Sequence, residues 1–296
     1  MLRKKALRKI FITTLTMFII LTIYTIPTTE NKNVLRTNLE IEDITNLSTD
    51  KIYLLNKDNY LVKTDIFIDS NKTEEKIEKI INYLTIDNNK VPVSLNGYIP
   101  KNTKLIDYNL DEKYLFLNFS KELEKSKNKN LMITGIVYSL LELKEIEKIS
   151  ILVENNQVKE YTNLDKSIGI NNEYLYTNRK DIEKVVIYYL DNTDSYYVPV
   201  TKYLNNSKDK IEVIVDELKN TDKNLISYLN NNTKLLDYRE EANVLFLNFN
   251  EYLIDSNEEV TKKILNTIAY SVFDNYDVGM VMFEVNGKKL KYIEKK

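Results

Sequence analysis

Neither cysteine nor histidine occurs among the 296 residues of this chain. Without cysteine there can be no disulfide, thiolate nucleophile, cysteine metal ligand or lipid-modified cysteine. Without histidine, the usual general base and the commonest transition-metal ligand are both missing. Glycine is scarce, at 5 residues, and no glycine-rich loop that could cradle a phosphate is present. The formal net charge of −2 offers no basic excess of the kind nucleic acid attracts. On these grounds no catalytic, cofactor-binding or metal-ligating residue is assigned, and neither an enzyme nor a small-molecule substrate is expected. What is present is ordinary for a globular protein, 43% hydrophobic and 29% charged. The length suffices for two domains of roughly 100–150 residues, each with its own core.

The first residues are the exception to that globular character. Arg3, Lys4, Lys5, Arg8 and Lys9 precede a charge-free run from Ile10 to Thr29. Its apolar part, Ile10 to Ile26, would make a helix about 25 Å long, within the range that crosses a bilayer. Pro27 ends it. The basic cluster would stay cytoplasmic and send the rest of the chain outside. A cleaved signal peptide is the alternative, but no A-x-A-like cleavage site lies near Pro27. A buried core helix fits poorly, because the run has no polar face. The expectation is therefore a single-pass membrane protein with an anchor over 1–27 and a polar tether over 28–50.

The body of the chain is written twice. "NTKLIDYNLDEKYLFLNF" (Asn102–Phe119) returns as "NTKLLDYREEANVLFLNF" (Asn232–Phe249), with 11 of 18 positions identical at an offset of 232 − 102 = 130. The surrounding elements repeat as well. "KIYLLNKDNYLVKTDIFI" and "KVVIYYLDNTDSYYVPVTKYL" each read as two strands around a turn. Ile77, Ile80, Ile81 and Leu84 make one helical face, as do Ile211, Ile214, Val215 and Leu218. Alternation of Leu115, Leu117 and Phe119, and of Leu245, Leu247 and Phe249, marks a buried strand face. A second helical stripe, Ile133, Ile136, Val137 and Leu140, matches Leu265, Ile268, Ala269 and Val272. The pairs Tyr138-Ser139 and Tyr270-Ser271 coincide within it. Each copy closes with a strand and a turn, and Asn286-Gly287 is a strong hairpin signal.

The order is thus β-β-α-β-β-α-β-β, twice, in two α+β domains over 51–160 and 185–292 joined by a polar linker over 161–184. Each is expected to hold a mostly antiparallel sheet with its helices on one side.

This ordered set resembles the GerMN domain, the sporulation and germination module that bacterial GerM proteins carry in tandem. The resemblance rests on "YYVPVTKYL" with its following helix, "GYIPKNTKLIDY" before the central hairpin, "LFLNFSKEL", and "GIVYSLLELKEIEKISILVENN". It implies a role in sporulation, as a scaffold or assembly factor for the channel between mother cell and forespore. It also implies protein partners at the forespore or septal membrane, bound through sheet and helix faces. The rival readings are an extracytoplasmic module sensing a ligand at the domain interface, and a carboxylate-based wall hydrolase, which would need two placed acids.

Few residues stand out as site candidates. Asp107 and Asp237, beside Tyr108 and Tyr238, could each belong to an acid–base pair, but are read as strand-end residues satisfying turn amides. The 22 tyrosines include Tyr188-Tyr189 and Tyr196-Tyr197, which could form an interaction surface or simply fill strands. The loop Lys121–Asn130 carries charges of both signs and is read as solvated. The acidic pairs in "EIEDI" and "NEEV" lack calcium-loop spacing.

Overall fold

A computed structural model of the chain describes residues 4–25, 49–172, 183–204, 208–221 and 224–295. The chain divides into two compact units, Met1–Leu47 and Ser48–Lys296. In the first, helix α1 runs from Lys4 to Thr25 and exposes Phe11, Met17 and Phe18. The Thr13 and Thr16 hydroxyls donate to the carbonyls of Lys9 and Ile12, four residues back. Among the described residues, no helix is long and apolar enough to cross a membrane. Pro27 and the tether up to residue 48 lie outside the described residues.

The second unit contains both copies. Copy 1 begins with a hairpin of β1 (Thr49–Leu55) and β2 (Leu61–Phe67), then α2 (Thr73–Tyr83). The hairpin β3 (Leu105–Asp111) and β4 (Tyr114–Phe119) leads to α3 (Lys129–Leu140), β5 (Lys148–Val153) and the short β6 (Asn156–Gln157). Copy 2 repeats this with β7 (Lys184–Asp191), β8 (Tyr197–Tyr203) and α4 (Lys210–Leu218). A two-residue strand β9 (Leu225–Ile226) is inserted before β10 (Leu235–Glu241) and β11 (Val244–Phe249). Then come α5 (Glu258–Asn275), β12 (Met280–Val285) and β13 (Lys288–Glu294).

The predicted apolar faces are all buried. Ile77, Ile80, Ile81 and Leu84 line α2, and Ile211, Ile214, Val215 and Leu218 line α4. Leu115, Leu117, Leu245 and Leu247 are each at most 1% exposed. The helix starts have local causes. The Asn128, Asp209 and Asn257 side chains each accept a first-turn amide of α3, α4 and α5. Asn286 and Gly287 both take positive φ, 49° and 76°, which a tight turn between β12 and β13 requires.

Three expectations are corrected. Each copy has two sheets instead of one mostly antiparallel sheet, and in the four-stranded sheets the central pairs β4–β5 and β11–β12 are parallel. The cause is the helix between those strands, which carries the chain back to the end where the first strand began. The loop Lys121–Asn130 is only partly solvated. Its first half is a 3-10 turn that buries Leu123, and α3 already begins at Lys129. Finally, residues 161–172 of the expected polar linker are packed onto copy 1, while residues 173–182 lie outside the described residues. Leu164 pairs with Ile149 of β5, and Ile168 and Ile170 are at most 1% exposed. Their apolar side chains follow neither a helical nor a strand period, so no pattern announces them.

Candidate functional site

The two copies meet along a seam, where several polar side chains of one bond the other. The repeated Tyr-Ser pairs act within each copy. Ser139 on α3 accepts the backbone amide of Tyr53 in β1 at 2.9 Å, and Ser271 on α5 accepts that of Tyr188 in β7 at 2.8 Å. Each serine is fully buried and ties a helix to the strand beneath it. Tyr98 adds to this in copy 1, where its hydroxyl donates to the Tyr53 carbonyl at 3.1 Å. Its ring lies so close to Gly135 that a Cβ there would sit 2.3 Å from it.

Tyr53 of copy 1 and Tyr188 of copy 2 are both buried and act on each other's ionisation. Tyr138 packs edge-on against Tyr53 at 5.5 Å, and Tyr270 does so against Tyr188 at 5.8 Å. The Tyr188 hydroxyl donates to Asp274 at 2.8 Å. Burial, with Glu142 next for Tyr53 and Asp274 next for Tyr188, pushes both phenols well above their ordinary value, so both stay neutral. Glu142 is held by Lys63 at 2.6 Å and Lys166 at 2.9 Å. Burial alone would raise its pKa, but the two ammonium groups together keep it below the usual carboxylate value.

Backbone edges are joined as well. Asn171 accepts from the Leu61 amide of β2 at 2.8 Å, and its side-chain NH2 donates to the Leu61 and Pro199 carbonyls at 2.7 Å each. One side chain thereby ties an edge of copy 1 to an edge of copy 2. Ile170 extends the tie through two bonds with Thr201, both 2.9 Å. Where the hairpin turns meet, Asn192 donates to Asp58 at 2.9 Å, and Ser94, between α2 and β3, meets Tyr196 at 2.5 Å.

A cleft of about 250 Å³ opens on this seam. Its walls include Tyr138 and Lys166 from the copy 1 side and Lys184, Lys210, Asp274 and Asn275 from copy 2.

The residues singled out from sequence are placed elsewhere or differently. Asp107 accepts from Asn118 at 3.0 Å, and Asn118 in turn accepts the turn amide of Asn155 at 2.9 Å. Copy 2 repeats this through Asp237, Asn248 and the Gly287 amide. The aspartates therefore orient an asparagine, and it is the asparagine that satisfies the turn. Tyr188 and Tyr189 are buried, while Tyr196 and Tyr197 are half-buried. Asn171, Asp58 and Asn192 join the copies without having been singled out. No local pattern distinguishes them from surface polar residues. Among the described residues no cluster of three acidic side chains could hold a metal ion.

A family model described as "Germane: Sporulation and spore germination" matches residues 51–159 and 186–291, once for each copy. The chain belongs to this family. Its fold also matches a solved structure, the tandem GerMN domains of the sporulation protein GerM from Bacillus subtilis. The TM-score is 0.71 at 22% identity, over 84% of this chain and 97% of that one. The first GerMN domain of that protein alone matches with TM-score 0.37 and 15% identity, over 40% of this chain and 98% of its own. A putative lipoprotein from Clostridium perfringens matches with TM-score 0.29 and 24% identity, over 44% of this chain and 94% of its own. No curated protein matches. This Germane-family chain is thus GerM-like, with two GerMN domains in tandem and an α+β fold.

Proposed function

We propose that this protein is a non-enzymatic, membrane-anchored, extracytoplasmic scaffold that acts in sporulation by holding components of the mother cell–forespore channel. The observation that carries the reading is the division of labour in the second unit. Along the seam, polar groups of the two copies bind one another, which fixes the copies as one body. Away from it, β3 and β10 stay at sheet edges, with Ile106 and Leu236 each 49% exposed at equivalent bulges. Edge strands with exposed apolar side chains are suited to binding proteins. The absence of histidine and cysteine from the sequence, and the use of Asp107 and Asp237 as structural acceptors, agree with a binding role.

The anchor is part of the proposal. Its support is the basic cluster before Ile10–Ile26, the helix Lys4–Thr25, and threonine hydroxyls that return to their own helix backbone. Full-length protein is expected to stay with the membrane through high-salt and carbonate washes. Recovery of a shortened, soluble form would instead mean that the segment is cleaved.

The functional reading is tested in sporulating cells. Deletion should mislocalise a channel component at the forespore membrane. A double Asp107→Asn, Asp237→Asn variant should sporulate within about twofold of wild type, because asparagine can still accept the amide bond at a cost near 1 kcal/mol or less. If that variant folds normally and yet abolishes function, a carboxylate-dependent site operates and the scaffold reading fails.

A further inference from the structure

The cleft on the seam contains one charged group that the fold leaves incompletely used. Lys166 is paired with Glu142 at 2.9 Å, and Lys210 with Glu183 at 3.8 Å. Asp274 is held by Tyr188. Asn275 spends its side chain on the amide and carbonyl of Val186 and on the Ser271 carbonyl. Lys184 differs from all of these. Its ammonium donates to the Lys166 backbone carbonyl and makes no ion pair among the described residues. An ammonium has three donors, so the carbonyl leaves it short of partners, and its one hydrogen-bond acceptor carries no charge.

We propose that this cleft binds the oxyanion head of a small ligand, a carboxylate or a phosphate, with Lys184 as its charge partner. A half-buried charge is costly unless it is paired, and an anion in the cleft supplies the missing partner. Lys184 feels this cost already, since burial pushes its pKa below the ordinary lysine value. The cleft volume of about 250 Å³ sits just under the roughly 300–1,000 Å³ of common ligand pockets, which limits the occupant to a small molecule.

Comparison of the two copies shows that the fold does not require this lysine. β1 and β7 align at an offset of 135, from Leu55 and Leu190, which both pair with the strand segment following the first helix. Thr49 therefore stands where copy 2 has Lys184. The equivalent of Lys210 is Lys76, which pairs tightly with Asp50 at 2.6 Å, whereas the Lys210–Glu183 contact is loose at 3.8 Å. Copy 2 thus combines an added ammonium with a loosened ion pair, and both face the cleft. Tyr138 cannot serve as a base there, because its hydroxyl already donates to the Lys166 carbonyl at 3.1 Å and burial raises its pKa. The inference stands independently of the scaffold reading.

The experiment is an NMR titration of the unit Ser48–Lys296, which has its own continuous core. Inorganic phosphate and acetate are added in separate arms, with ionic strength held constant by chloride. Saturable shifts at the amides of Val186 and Asn275 are expected in at least one arm, and the responding arm identifies the head group. Saturation in both arms would define a general oxyanion site. Lys184→Met should weaken binding about ten- to hundredfold, the range for a lost charge-assisted hydrogen bond, while Lys184→Arg should largely retain it. Linear, unsaturated shifts in both arms would overturn the proposal. So would saturation that Lys184→Met leaves unchanged in a variant whose spectrum remains folded.

Discussion

Leu247→Asp is expected to abolish cooperative folding of the second unit. Leu247 is fully buried in β11, between Tyr238 of β10 and Phe283 of β12, and Phe283 is itself fully buried. A carboxylate there would be stripped of water with no cation in reach, at a cost of several kcal/mol. It would also lose the packing of a buried leucine, a further roughly 2–5 kcal/mol. Together these rival the 5–15 kcal/mol or so that holds a typical domain folded. Leu117→Asp in copy 1 should behave alike, because Leu117 occupies the equivalent place and is equally buried. Urea unfolding followed by circular dichroism measures the effect. The control is Leu236→Asp on the neighbouring strand, where the side chain is 49% exposed and the cost should stay below about 1 kcal/mol. A cooperative transition for Leu247→Asp near the wild-type midpoint would show that the assigned inner face of the sheet is wrong.

Asn171→Ala is expected to weaken the seam, with a loss of about 4–5 kcal/mol. Its side chain makes three hydrogen bonds, to Leu61 twice and to Pro199 once. Such bonds contribute about 1 kcal/mol each. Asn171 also has φ of 52°, a left-handed conformation that costs alanine roughly 1–2 kcal/mol. Asn171→Gly separates the two effects, since glycine accepts that backbone freely but restores none of the bonds. It should recover only the conformational share. The Leu61 amide should also exchange faster with solvent in both variants. If Asn171→Ala matches wild type within about 0.5 kcal/mol, the copies are held together by other contacts such as Asn192–Asp58 and Ser94–Tyr196, with no net contribution from this residue.

The sequence by itself determined the elements and their repetition. Helical and strand periods depend on neighbours a few residues apart, so the stripes of α2 and α4 and the alternation of β4 and β11 could be read directly. An offset of 130 to 135 residues, kept through five or more elements, revealed the duplication, and Asn286-Gly287 announced its turn. The tertiary structure alone decided the parallel pairing of β4 with β5, the two-sheet division of each copy, and the seam. Asn171 meets Leu61 across 110 residues, and Asn192 meets Asp58 across 134. At such separations a polar residue on a seam looks the same in sequence as one in water, because its role depends on which surface the rest of the fold brings against it. Lys184 is the sharpest case. As a letter it is one of 42 basic residues, and only the packing of copy 1 beside copy 2 makes it a half-buried ammonium without an acidic partner among the described residues.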